Sequence, residues 1–205
     1  MTYFRQLFAP VVFLLLLLGC KFNTRQTKIA SSSRYDLDHP FIIKLPEALA
    51  EISGVAYYPK DTAVFAIEDE DGMLYKISLT QKEDIKKWRF DKKHDFEDVV
   101  LHDSIFYVLI SNGDIESVKF GKADSIITNT SQFPGASKKQ NEFESMYYDD
   151  SLKQLVLVCK SCEDDGHKIV SAWGYDIASG VYTPSVFTIN VDPVAKKLGE
   201  EKIKL

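Results

Sequence analysis

The chain has 205 residues, enough for one domain or two, with 45% hydrophobic and 27% charged residues, an ordinary globular balance. Its formal charge is -5 with no basic block, so it lacks the electrostatic footprint of a nucleic-acid-binding protein, and no nucleic-acid partner is expected. Ten Tyr and thirteen Phe lean towards β structure.

The first element is a targeting segment. Met1 to Gln6 carries one positive charge, Arg5, and an apolar run follows from Leu7 to Leu18. Polar Lys21, Asn23, Thr24 and Arg25 end that run well short of the ~20 residues a spanning helix needs. Its length and small-residue ending fit a cleaved signal peptide. Leu17-Leu18-Gly19-Cys20 resembles the lipobox of bacterial lipoproteins, in which the cysteine is acylated and becomes the new N-terminus. The expectation is a signal peptide over 1–19, lipid attachment at Cys20, and a membrane partnership through that lipid in the bacterial envelope. The outer membrane is the expected location, with the periplasmic or surface side left open. Several acyl chains anchor stably, because each buried methylene adds about 0.8 kcal/mol. The alternative is an ordinary secretory signal with a chance cysteine.

Residues 20–34 continue as a polar segment containing Ser31-Ser32-Ser33, which reads as a flexible tether. The folded domain is expected over 35–205.

That domain repeats. Glu51, Glu97 and Glu144 open comparable segments at spacings of 46 and 47 residues. Each begins a short apolar strand pattern, in EISGVAYY, EDVVLHDS and ESMYYDDS. Second strands are predicted at Thr62–Ile67, Ser104–Ile110 and Gln154–Val158. Turns follow at Asp71-Gly72, Asn112-Gly113 and Asp165-Gly166, where glycine supplies the positive φ of tight hairpins. Third strands are predicted at Met73–Ile77, Ile115–Phe120 and Ser171–Ile177, and fourth strands at Ile85–Phe90, Ile126–Phe133 and Pro184–Ile189. Only Pro193–Lys202 suits a helical turn or two. A four-stranded meander repeated every 40–50 residues is the pattern of an all-β β-propeller, with about three blades here. A β-sandwich would not return the same residue type to the same place in three units.

Leu45-Pro46, the run Leu49 to Ala56, the acidic turn Glu68 to Gly72, Phe96-Glu97-Asp98 and Asn141 to Glu144 together resemble the SdiA-regulated family of envelope proteins, in its Bacteroidetes-type lipoprotein branch. That family is similar to six-bladed propellers of the YncE, NHL and strictosidine-synthase-like kind. The resemblance covers residues 35 to 205 and brings no established catalytic set. The sequence departs from it in having Asp98 and Ser145 where glycine is expected, and in holding three units where the family has about twice as many. On that comparison the three units form a partial or truncated six-bladed propeller. The strand expected at Tyr35–Leu45 would then lack its closing partner, and the exposed final edge would favour self-association.

Candidate chemistry centres on the three glutamates. In a propeller the first strand of each blade lines the axis, so equal phase becomes a ring of carboxylates. Charged carboxylates gathered there need a cation or hydrogen-bond donors. Calcium, a hard ion taking 6–8 oxygens, is the expected cofactor at Glu51, Glu97 and Glu144. The competing reading is that each glutamate caps backbone amides between blades. Glu68 to Asp71 lacks the alternating pattern of an EF-hand and reads as a solvated turn. Cys159 and Cys162 have no second pair for a zinc site. They form a disulfide only where the strand ends near Cys159, because three residues of strand span about 10 Å. His94 and His102 flank Glu97, but no nucleophile elbow or phosphate loop accompanies them. The expected function is a lipid-anchored binding or interaction module for an unidentified small-molecule or protein ligand. The alternatives are a calcium-dependent hydrolase or lactonase, and a truncated fragment without activity.

Overall fold

The computed structural model describes residues 36, 38–81, 84–135, 141–166 and 169–199. The signal peptide, Cys20, the tether and His167 lie outside the described residues. The chain divides into two units, 1–42 and 43–205. In the first, His39 pairs with Asp36 at 2.9 Å.

Among the described residues twelve strands form three separate four-stranded antiparallel sheets, each a meander in sequence order. The first sheet holds β1 (Ile52–Tyr58), β2 (Ala63–Glu68), β3 (Met73–Ser78) and β4 (Ile85–Arg89). The second holds β5 (Phe96–His102), β6 (Ile105–Ile110), β7 (Ile115–Phe120) and β8 (Ile126–Ser131). The third holds β9 (Glu142–Asp149), β10 (Gln154–Ser161), β11 (Ile169–Asp176) and β12 (Val181–Asn190). Among the described residues one α-helix, α1 (Asp192–Leu198), follows, with Pro193 in its first turn and Gly199 in the left-handed conformation at its end.

Strand β1 lies against β5, and β5 against β9. The sheets therefore stack as consecutive propeller blades with their first strands innermost. The architecture is all-β, and the described residues supply three blades. Stacking covers both faces of a blade, so the middle strands lose the apolar–polar alternation of a half-exposed sheet. In β6 five of six residues are buried. Ala56, Phe65, Ile67 and Leu74 of the first blade form one core with Val99, Phe106, Val108 and Val118 of the second. Leu109, Ile115 and Phe133 form the next core with Phe143, Leu155 and Leu157 of the third.

The turns work for different reasons. Gly113 has φ +93°, as the Asn-Gly signal predicts, and a side chain there would strike the rings of Phe133 and Phe143. Gly72 is required by proximity instead. It has no positive φ, but a Cβ would sit 2.6 Å from the Asp91 carbonyl oxygen. Its own carbonyl accepts from the Phe90 amide at 2.8 Å.

The strand expected at Tyr35–Leu45 is formed neither by the described residues 38–42 of the first unit nor by 43–45 of the second. Leu49 packs with Ala66, Tyr75 and Ile77, joined by partly buried Ile43 and Leu45. It covers the face of the first blade turned away from the second.

Candidate functional site at the start of the inner strands

Each inner strand opens with a β-bulge, and the bulge decides which residues share a phase. Ile52 pairs with Glu68 and Gly54 with Ile67, leaving Ser53 as the extra residue. Phe96 pairs with Ile110 and Asp98 with Leu109, leaving Glu97. Phe143 pairs with Cys159 and Ser145 with Val158, leaving Glu144. The equivalent positions are thus Ser53, Glu97 and Glu144. Glu51 is two residues out of phase, and this corrects the sequence alignment. Its counterpart is Asp95: the Asp69 amide donates to the Glu51 carbonyl at 3.3 Å, and the Ser111 amide donates to the Asp95 carbonyl at 2.8 Å. The recurring glutamate spacing concealed the shift because the first and second blades repeat after 44 residues (Ser53 to Glu97) and the second and third after 47, and only strand pairing reveals that difference.

Backbone bonds tie the blades together at this end. The Phe96 amide donates to the Asp69 carbonyl at 2.7 Å, and the Phe143 amide repeats this on Ser111 at 2.8 Å. The position after the bulge sets how closely inner strands approach. A Cβ on Gly54 would lie 2.6 Å from the Val99 nitrogen, so the first and second blades meet backbone to backbone. Asp98 occupies the same phase in the second blade, and its carboxylate fills the equivalent gap. It accepts from the Val99 and Met146 amides, both at 2.8 Å. Burial pushes the Asp98 carboxyl up, and those two amides and the Ser145 hydroxyl oppose the rise.

Glu97 is the electrostatic centre. Its carboxyl is pushed up to about 7, first by partial burial and then by the negative charges of Glu144, Asp95 and Asp69; Lys160 opposes the rise. Lys160 donates to Glu144 at 2.6 Å and lies 4.0 Å from Glu142. Asp69 Oδ1 is buried with no hydrogen-bond partner. A hard cation suits such a donor set, and so does a proton on Glu97. No three of these acids bring ligand atoms within 4.8 Å of one another among the described residues, so no closed cage is preformed. Water would complete the coordination of any bound ion.

The cysteines are bridged, with Cα atoms 6.0 Å apart. The strand ends near Cys159, as the bridge requires, with β10 running on two residues to Ser161. Register shifts on both sides of Cys159 shorten its path and bring Cys162 into reach. Asp165 lies beside the bridge but accepts from the Ser171 amide and hydroxyl at 2.9 and 3.0 Å. With both sulfurs bonded to each other, this cluster is a structural clasp and not a metal centre.

The two histidines near Glu97 in sequence diverge in space, at opposite ends of β5. His94 pairs with Asp91 at 3.2 Å, and His102 stacks on Tyr148 with ring centroids 3.7 Å apart. The acidic run is a turn wrapped around Glu68, whose carboxylate accepts from the amides of Glu70 and Asp71.

No protein-family profile matches the chain. No curated protein matches it either. Among solved structures it is similar to a luciferin-regenerating enzyme, at 11% identity and TM-score 0.49, over 65% of this chain and 44% of that one. It is also similar to the β-propeller domain of Cps50 (Swd1) from Myceliophthora thermophila, at 9% identity and TM-score 0.44, over 68% of this chain and 42% of that one. A computationally designed protein, Ika4, matches at 12% identity and TM-score 0.46, over 71% of this chain and 78% of that one. The chain spans less than half the length of the first two. The blade assignment rests on the strand pairing described above.

Proposed function

We propose that the chain is a lipid-anchored envelope propeller of the SdiA-regulated type that acts as a binding module, with a divalent cation held at the axial end of its inner strands. The observation that carries the cation reading is Glu97. Burial first, and then the charges of Glu144, Asp95 and Asp69, push this half-buried carboxyl up to about 7 against one opposing lysine, and a cation there would relieve the same repulsion. Calcium is the ion suited to an all-carboxylate, water-completed site. Glu97 and Glu144 are the expected ligands, with Asp95 and Asp69 supplying field. Glu51 is not expected to ligate, being out of phase.

Calorimetry with calcium chloride tests this reading. Affinity should be weak, on the order of millimolar, as in loosely built extracellular sites. Glu97 must lose its proton to bind, so affinity should be several-fold higher at pH 8 than at pH 6. Glu97→Gln should abolish binding, and Glu51→Gln should leave it unchanged. Equal heats from wild type and Glu97→Gln, or none from either, would remove the site.

The anchor is supported by Leu17-Leu18-Gly19-Cys20 after its apolar run. Cys20→Ala should move the protein from the membrane pellet to the soluble fraction, or leave the precursor uncut. A variant still cleaved and membrane-bound would refute lipid attachment at Cys20.

A further inference from the structure

Away from Glu97, at the opposite end of the inner strands, the first and second blades diverge and leave an open groove of about 430 Å³. That volume is within the usual range for small-molecule sites. Its floor is the edge of the interblade core, where Phe65 and Phe106 meet with centroids 4.4 Å apart. Its wall is aromatic: the half-buried rings of Trp88 and Phe120 meet edge to face at 4.9 Å. Its mouth is cationic, with Lys60, Lys76, Lys86 and Lys119 all lining it.

Strand alternation produces this arrangement. Leu74 and Lys76 share one face of β3, and Lys86 and Trp88 share one face of β4, both turned to the second blade. The apolar member of each pair reaches the core or the wall, and the lysine reaches the mouth. Lys76 is ion-paired with Asp61 and lies 5.9 Å from the centre of the Tyr58 ring. Lys60, Lys86 and Lys119 are exposed and make no ion pair among the described residues. Asp61 and Asp124 are the acids in the lining, so the groove is net positive on a chain of net charge -5. An exposed lysine alone signifies only solubility. Three exposed lysines and the paired Lys76 around two half-buried aromatic rings create a local positive potential over a surface that stacks flat groups.

We infer that this groove is a binding site for a small anionic ring compound: a planar or sugar ring against Trp88 and Phe120, with a phosphate, sulfate or carboxylate held by Lys86 and Lys119. Lysine suits this role because it offers a point charge without the bidentate geometry of arginine. The site is independent of the cation reading at Glu97.

The test uses tryptophan fluorescence of the full chain in detergent, since Trp88 lines the groove while Trp173 packs in the other interblade core. The probes are 1-naphthyl phosphate, glucose 6-phosphate, 1-naphthol and inorganic phosphate. At least one ring phosphate should give saturable quenching, and which one does separates an aromatic from a sugar source. Neutral 1-naphthol and inorganic phosphate should bind at least about tenfold more weakly, each lacking half of the recognition. Lys86→Glu with Lys119→Glu should weaken the ring phosphate at least about tenfold, and raising the salt should weaken it in wild type. Should the double variant fold poorly, Lys119→Gln alone should weaken binding by about threefold or more. Trp88→Phe should remove the signal change. No saturable quenching by either ring phosphate, or an affinity unmoved by charge reversal and salt, would overturn the inference.

Discussion

Phe143→Ala should lower the unfolding free energy by about 3–5 kcal/mol, the usual cost of emptying a fully buried aromatic site. Phe143 is 0% exposed at the start of β9, where the third blade meets the second. Its ring meets Phe133 edge to face at 5.0 Å, and it is one of two rings that forbid a side chain on Gly113. The cavity would open between two blades, whose separate backbones have little freedom to collapse into it. Urea denaturation of wild type and variant provides the measurement, with the midpoint falling and the slope preserved. Val55→Ala is the matched control: Val55 is 53% exposed on β1, and its truncation should change stability by less than about 0.5 kcal/mol. A loss below about 1 kcal/mol for Phe143→Ala would show that the second and third blades do not share a packed core.

Glu116→Gln should stabilise the protein, increasingly so as pH rises. Glu116 is 2% exposed on β7, with Oε2 lacking a hydrogen-bond partner. Burial, together with the neighbouring Asp91 carboxylate, pushes its carboxyl up to about 7 from an ordinary 4.5. The sign follows from proton uptake. Between about pH 4.5 and 7 the folded state holds a proton that the unfolded state has released, so wild-type stability from this group falls as pH rises through that window. Above 7 the folded protein carries an uncompensated buried charge. Glutamine mimics the protonated acid at every pH. The difference between variant and wild type should therefore be small near pH 4 and reach about 3 kcal/mol at pH 8. Thermal melts of both proteins from pH 4 to 8 would show it. A difference independent of pH would mean that Glu116 is not the titrating group. Glu97, raised to about 7 mainly by burial, adds a wild-type slope of the same sign, which the comparison cancels.

These two residues also mark where sequence reading stops. Phe143 lies just before the Met-Tyr-Tyr run of its strand at the same place in its unit as Phe96, so its position was legible, and both are fully buried. Glu116 was not legible. In IESVKF it occupies a polar position that alternation assigns to solvent. A blade has no solvent face in its middle strands, because the next blade covers it, and neither blade's local pattern records that. The groove lysines were hidden likewise. MLYKI, IKKWRF and IESVKF each look like strands with one wet side, and only blade stacking brings those sides to one mouth.

By itself the sequence determined the twelve strands, the three-unit period, the Asn112-Gly113 hairpin and hence the propeller class, because strand periodicity and turn chemistry are local and survive without a partner. The strand ends differed by up to three residues, most at β10, which runs past Val158 to Ser161, and at β12, which starts at Val181 rather than Pro184. The tertiary structure alone decided the phase of the glutamates. A bulge is defined only by the strand opposite, so pairing with β2, β6 and β10 put Ser53, Glu97 and Glu144 at one level and left Glu51 outside. It also decided the Cys159–Cys162 bridge, since the register shifts on both sides of Cys159 are set by pairing with β9.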